Sequence, residues 1–201
     1  MNLPNKLTVI RLALVPVFLI FFIILQHFPS AAVPCMVICL LCYGVAEITD
    51  LMDGKIARKR GLVTDLGKVM DPFADTLSHV TYFLCFLSYG IMPLWTFVII
   101  MWREYAILFT RMLLAKYAGK SMPANIFGKS KTVLYAITTI VSMVYICMMT
   151  FIPGAKEASW NGGYSIALYI LYALSAFASL MSFLIYAKDV IKSKALSGMT
   201  R

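Results

Sequence analysis

Residues 50–75 read DLMDGKIARKRGLVTDLGKVMDPFAD, a polar segment set close to apolar runs of membrane-spanning length. Four aspartates carry it: Asp50, Asp53, Asp71 and Asp75. The first two are spaced i, i+3 and the last two i, i+4. On a helix, either spacing puts both side chains on one face about a turn apart. Two helices can thus each present a pair of carboxylates to a shared cleft. Hard divalent cations such as Mg2+ take oxygen ligands of this kind, commonly together with a phosphate-bearing substrate. Gly54, Ala57 and Gly67 are small, and Arg58 is a cation, so a nucleotide can approach closely between the pairs. The plainer alternative is a polar loop with capping aspartates. Acids beside membrane-length apolar runs are costly and usually functional, which favours a site.

Outward from this segment the chain is apolar. Of 201 residues, 61% are hydrophobic and 13% charged, far from the balance of a soluble domain. Several runs approach the roughly 20 residues that cross a bilayer. We read an all-α, polytopic integral membrane protein of one domain, residues 1–201, with six transmembrane helices. The spans are Leu7–Leu25, about Ala32 to Arg60, Gly67–Tyr89, Leu94–Tyr117, Ile126–Ile152 and Tyr164–Ala187. The residues after Leu25 do not form a signal-peptide cleavage site, so the first span is expected to be retained. Asp50 falls roughly 25 Å along the second helix, at a membrane face and not at mid-membrane. Gly61 is a plausible helix stop, Pro72 suits a first helical turn, and Gly90–Pro93 reads as a tight turn. Cys35, Cys39, Cys42, Cys85 and Cys147 lie inside apolar runs without metal spacing and read as packing thiols.

Charge sets the expected topology. The two termini and the second and fourth loops hold nearly all Lys and Arg, whereas the opposite loops hold Lys156 alone. Basic loops stay in the cytoplasm, so both termini and the aspartates should face it. The formal net charge of +9 then reflects positive-inside loops and anionic lipid headgroups, and not nucleic acid.

The pattern Asp50-x2-Asp53-Gly54-x2-Ala57-Arg58-x8-Gly67-x3-Asp71-x3-Asp75 resembles the signature of the CDP-alcohol phosphatidyltransferases, with every fixed position filled. The resemblance implies that Asp50, Asp53 and Asp71 are metal ligands. Asp75 would be the general base and also touch a second metal. Asp50, Asp53, Gly54, Ala57, Arg58 and Gly67 would line the cytidine nucleotide pocket. The implied cofactor is Mg2+ or Mn2+, as two ions. The implied reaction moves the phosphatidyl group of CDP-diacylglycerol to a small alcohol with CMP leaving, in a multi-pass cell-membrane protein that is usually a homodimer.

The acceptor is read from the later spans. Arg103 lies roughly ten residues into the fourth span, where an isolated Arg costs at least ~2.5 kcal/mol, so it should face the cleft. Arg111 is near the same helical face, and Lys129 and Lys131 open the fifth span. These four cations can hold a phosphate on the alcohol. Arg103-Glu104-x6-Arg111 and Gly128-Lys129-x-Lys131-Thr132 are similar to the glycerol 3-phosphate site of the bacterial phosphatidylglycerolphosphate synthase subgroup. The opening Pro4-Asn5-x-Leu7-Thr8-x2-Arg11 is similar to that subgroup's start, although Asn and Thr there are also ordinary caps. Thr76 departs from the subgroup, which commonly has Lys after the fourth aspartate, and favours acceptors such as serine or a choline-like alcohol. Inositol phosphate is a further alternative. A divalent-cation transporter is the reading from another class, but Arg58 beside the ligands would repel its cargo. His79 reads as a packed polar residue; Glu47 is either an outer partner of the cluster or a pore-facing polar residue.

Overall fold

A computed structural model describes residues 2–60, 65–117 and 126–192. Within these, the side chains of 51, 53–60, 65, 66, 68, 115–117, 126–129, 189 and 192 lie outside the description. The described chain is helical: α1 (Leu3–His27), α2 (Ala32–Arg60), α3 (Asp65–Ser88), α4 (Leu94–Tyr117), α5 (Ile126–Phe151) and α6 (Trp160–Lys192), with short 3-10 turns at Pro29–Ala31 and Ala155–Glu157.

Helix boundaries follow local chemistry. Asn2 caps α1, its side-chain oxygen accepting from the Asn5 backbone N–H at 3.2 Å. The helix therefore starts four residues before the expected span, and neither Asn5 nor Thr8 is the cap. Gly90 sits at φ 85° between α3 and α4, where the Ile91 N–H reaches back to the Phe86 carbonyl at 3.1 Å. That is the left-handed closure glycine permits without a Cβ clash. Pro72 lies inside α3 and not in its first turn, because α3 already begins at Asp65. Gly61 lies outside the described residues.

The helices pack α1 against α2 and α3, α3 against α4, and α6 against α4 and α5. Phe18 and Phe22 of α1, Met36 and Cys39 of α2, Phe83 and Phe86 of α3, Tyr135 of α5 and Tyr172 of α6 form one buried core. Ring pairs such as Phe18–Tyr82 and Phe83–Tyr135 meet edge-on with centroids 4.7 and 5.1 Å apart. All five cysteines are free, and all but the half-buried Cys147 are buried, as packing thiols should be. The outward faces carry large apolar side chains, among them Leu41, Phe109, Ile166 and Phe177.

Among the described residues, four segments are long and apolar enough to cross a membrane: Leu3–His27, Pro29–Asp50, Ser130–Phe151 and Trp160–Lys188. α3 and α4 are of similar length but more polar. α3 carries Asp71, Asp75, Thr76, Ser78, His79 and Thr81, and α4 carries Arg103, Glu104 and Arg111. Thr76, Ser78, Thr81, Arg103 and Glu104 are buried within the bundle. The two polar helices turn toward protein, where partners offset the loss of water.

Candidate active site

The buried stripe of α1 changes character along its length. Asn5, Thr8 and Arg11 precede Val15, Phe18, Phe22 and Leu25 on one face at three- and four-residue steps. The apolar half anchors α1 against α2 and α3. The polar half is thereby delivered to the aspartates. Arg11 is buried, and its Nη1 donates to Oδ1 of both Asp50 on α2 and Asp75 on α3. Thr8 Oγ1 donates to Asp71 Oδ1 at 2.6 Å. Three of the four signature aspartates thus meet two side chains of a single helix turn.

Asp50 and Asp75 remain 45% and 48% exposed at their side chains, although the arginine they share is 3% exposed. Their free lone pairs are open to a ligand. Convergence of two carboxylates on one cationic group, from separate helices, fits oxygen coordination of a hard divalent ion. Among the described residues no three acidic, His or Cys side chains close on a single point. The side chains of Asp53, Gly54, Ala57 and Arg58 lie outside the described set; Gly67 is buried at the start of α3. Glu47, one turn before Asp50, is half-buried and hydrogen-bonded to Tyr43.

Asp75 also forms a wall of a cavity of about 240 Å3 between α3, α4 and α5. The other walls include Thr76, His79, Arg103, Glu104, Arg111, Lys131 and Thr132. Of the four cations expected at an acceptor phosphate, Arg103, Arg111 and Lys131 are on this wall; the Lys129 side chain lies outside the described residues. Arg103 and Arg111 share a face because eight residues is close to two helical turns.

Glu104 organises these charges. Its Oε1 accepts from Lys131 Nζ at 2.6 Å and from Arg103 Nη1 at 3.0 Å. The Tyr135 hydroxyl lies 3.2 Å from the same oxygen and 2.9 Å from Ser179 Oγ. Arg103 Nη2 donates to Ser182 Oγ at 2.8 Å, and Lys131 Nζ stands 4.6 Å from the Tyr135 ring centroid. Arg103, Glu104 and Lys131 are all buried. A buried charge is tolerable when paired and hydrogen-bonded, and each of these is.

His79 packs edge-on against Tyr135, with ring centroids 5.5 Å apart, and its Nδ1 is 2.8 Å from the Asp75 carbonyl oxygen. It is therefore packed, as its sequence position suggested, and it also faces the cavity. Thr8, Arg11, Glu104, Ser179 and Ser182 were not among the expected site residues. Thr8 and Arg11 were visible in the opening motif, and Glu104 beside Arg103, whereas no pattern in α6 marks its two serines.

Comparison with known proteins agrees with this geometry. The profile described as CDP-alcohol phosphatidyltransferase matches residues 1–174. A Treponema pallidum (strain Nichols) protein named CDP-diacylglycerol–glycerol-3-phosphate 3-phosphatidyltransferase is 33% identical, across 100% of this chain and 95% of its own length. A Bacillus subtilis (strain 168) protein of the same name is 36% identical across 79% of this chain and 86% of its own. A Mycobacterium bovis protein named putative cardiolipin synthase is 32% identical across 66% of this chain and 59% of its own. The match over most of the chain, with three of its signature aspartates gathered under Thr8 and Arg11, makes this protein an enzyme of the CDP-alcohol phosphatidyltransferase family.

Proposed function

We infer that the protein transfers the phosphatidyl group of CDP-diacylglycerol to sn-glycerol 3-phosphate, giving phosphatidylglycerol phosphate and CMP. One observation carries the choice of acceptor: the cavity that begins at Asp75 is walled by Arg103, Arg111 and Lys131. Against these three cations stand two carboxylates, Asp75 and Glu104, and Glu104 is already engaged. The net positive wall suits an added phosphate. An unphosphorylated alcohol has no need of it, and a choline-like cation would be repelled. The names of the Treponema and Bacillus relatives support the same acceptor.

In this reading the acceptor phosphate lies against Arg103 and Lys131, and its hydroxyl end points to Asp75. The Asp75 carboxylate takes the hydroxyl proton as the oxygen bonds to the phosphorus bearing diacylglycerol. The bond from that phosphorus to the bridging oxygen breaks, and CMP leaves with the electron pair. Asp50, Asp53 and Asp71 would hold Mg2+ or Mn2+, with Asp75 touching a second ion, and the ions would neutralise charge on the diphosphate oxygens. Gly54, Ala57, Arg58 and Gly67 would border the cytidine moiety.

The membrane arrangement belongs to this reading. All six helices span the bilayer, α3 and α4 being sheltered by their neighbours, with both termini and the aspartates in the cytoplasm. The distribution of Lys and Arg supports that orientation. A homodimer in the membrane completes it, to be read from the mass of the protein in detergent. The deciding experiment is CMP release from CDP-diacylglycerol with glycerol 3-phosphate, glycerol, serine, inositol phosphate and phosphatidylglycerol offered separately. Glycerol 3-phosphate should be consumed and glycerol not. Preference for an unphosphorylated alcohol would overturn the assignment.

A further inference from the structure

We propose that His79 recognises the middle hydroxyl of a three-carbon phosphorylated acceptor, and so sets which phosphorylated alcohols this enzyme uses. The inference rests on the reading of the cavity as the acceptor site. His79 stands one helical turn after Asp75 on α3 and lines the same cavity as Asp75, Arg103 and Lys131. On one side its Nδ1 meets the Asp75 carbonyl oxygen at 2.8 Å. On the other it packs on Tyr135, the residue whose ring carries Lys131 Nζ at 4.6 Å. An acceptor with its attacking hydroxyl at Asp75 and its phosphate at Lys131 and Arg103 would bring its middle hydroxyl within reach of this imidazole, which lines the same cavity.

The tautomer follows from the backbone contact. A carbonyl oxygen only accepts, so Nδ1 carries a proton, and the neutral ring keeps a lone pair on Nε2. Nε2 has no hydrogen-bond partner among the described residues. The cations of the wall have no lone pair to offer, and Asp75 is committed to the attacking hydroxyl. Nε2 is thus an acceptor open to a second hydroxyl, alongside the oxygens of Thr76, Glu104 and Thr132 on the same wall. A site built to bond a substrate hydroxyl rejects the analogue lacking it far more sharply than an apolar pocket rejects a missing methylene.

The test uses the full-length protein in detergent with CDP-diacylglycerol. kcat and KM are measured for sn-glycerol 3-phosphate and for 3-hydroxypropyl phosphate, which lacks the middle hydroxyl. The readout is the ratio of the two kcat/KM values, which is independent of how much of a variant is folded. Wild type should favour glycerol 3-phosphate. His79→Ala should lower the ratio about tenfold, mainly through the KM for glycerol 3-phosphate. His79→Gln, whose amide oxygen accepts, should recover part of it. A wild type that uses glycerol 3-phosphate with a ratio unmoved in both variants would overturn the role of His79 alone. Equal loss with both substrates would do the same, because it marks a grip on phosphate or on the fold. A wild type that uses neither phosphorylated alcohol would overturn the acceptor reading, and His79 with it.

Discussion

The aspartate cluster and the cationic cavity meet at Asp75, yet they hold charge in opposite ways. At the cluster the acids are nearly half exposed and share one buried arginine from α1. In the cavity wall a buried glutamate gathers Arg103, Lys131 and Tyr135, with Ser179 and Ser182 behind them. The first arrangement leaves carboxylate oxygens open to exchange partners. The second has almost no freedom, because every group in it is buried and most are already bonded. A reaction that releases a charged product and binds a charged acceptor needs both: ligands that can be re-shared and a frame that does not move.

The contrast is broken most severely at the cluster. Chelation of divalent ions should abolish CMP release, with Mg2+ or Mn2+ restoring it. Asp50→Asn, Asp53→Asn and Asp71→Asn should each abolish activity while thermal unfolding in detergent changes little. Full activity in any one of them removes that residue from the metal site. Asp75→Asn should lower turnover by about 10²–10⁴ with CDP-diacylglycerol binding largely retained. An equal loss of binding would make Asp75 chiefly a metal ligand.

Next in size is Glu104→Ala, which tests the rigid side of the comparison. It leaves two buried cations without their shared counter-charge, and breaking such a group costs about 3–5 kcal/mol. Its melting temperature should fall well below that of any aspartate variant. A Glu104→Ala protein as stable as Asp75→Asn would show that the network is not the frame.

Arg103→Ala should raise the KM for glycerol 3-phosphate by about ten- to a hundredfold, the worth of a charge-assisted contact, and leave CDP-diacylglycerol affinity near wild type. The smallest effect is expected from Thr8→Val. It deletes the hydroxyl on Asp71 while keeping the shape of the α1 stripe. The metal concentration for half-maximal activity should shift by up to about tenfold, a hydrogen bond's net worth. No shift would mean that Thr8 only packs.

Much of this could be read along the chain. Most limits of the described helices follow from the sequence, and four of these helices contain segments apolar enough to cross a membrane, because a bilayer demands long apolar helices whatever their neighbours. The early start of α1 and the position of Pro72 within α3 could not be placed this way, since both depend on backbone bonds formed a turn away. The aspartates announced themselves by spacing, since i, i+3 and i, i+4 on a helix specify one face without any tertiary information.

The partners of those residues were another matter. An arginine eleven residues into the chain has the same sequence signature whether it marks the cytoplasmic side or bridges Asp50 to Asp75. Glu104 beside Arg103 is a local pair until Lys131, 27 residues on, reaches the same oxygen. Ser179 and Ser182 look like small residues of an apolar helix until they meet Tyr135 and Arg103. The amino-acid sequence by itself determined the class of chemistry, an all-helical membrane enzyme with carboxylates at fixed spacing, because helical periodicity is local. Tertiary structure alone decided which cation sits on which acid and what faces the cavity. Those contacts join α1 to α2 and α3, and α4 to α5 and α6, across separations that carry no periodic trace.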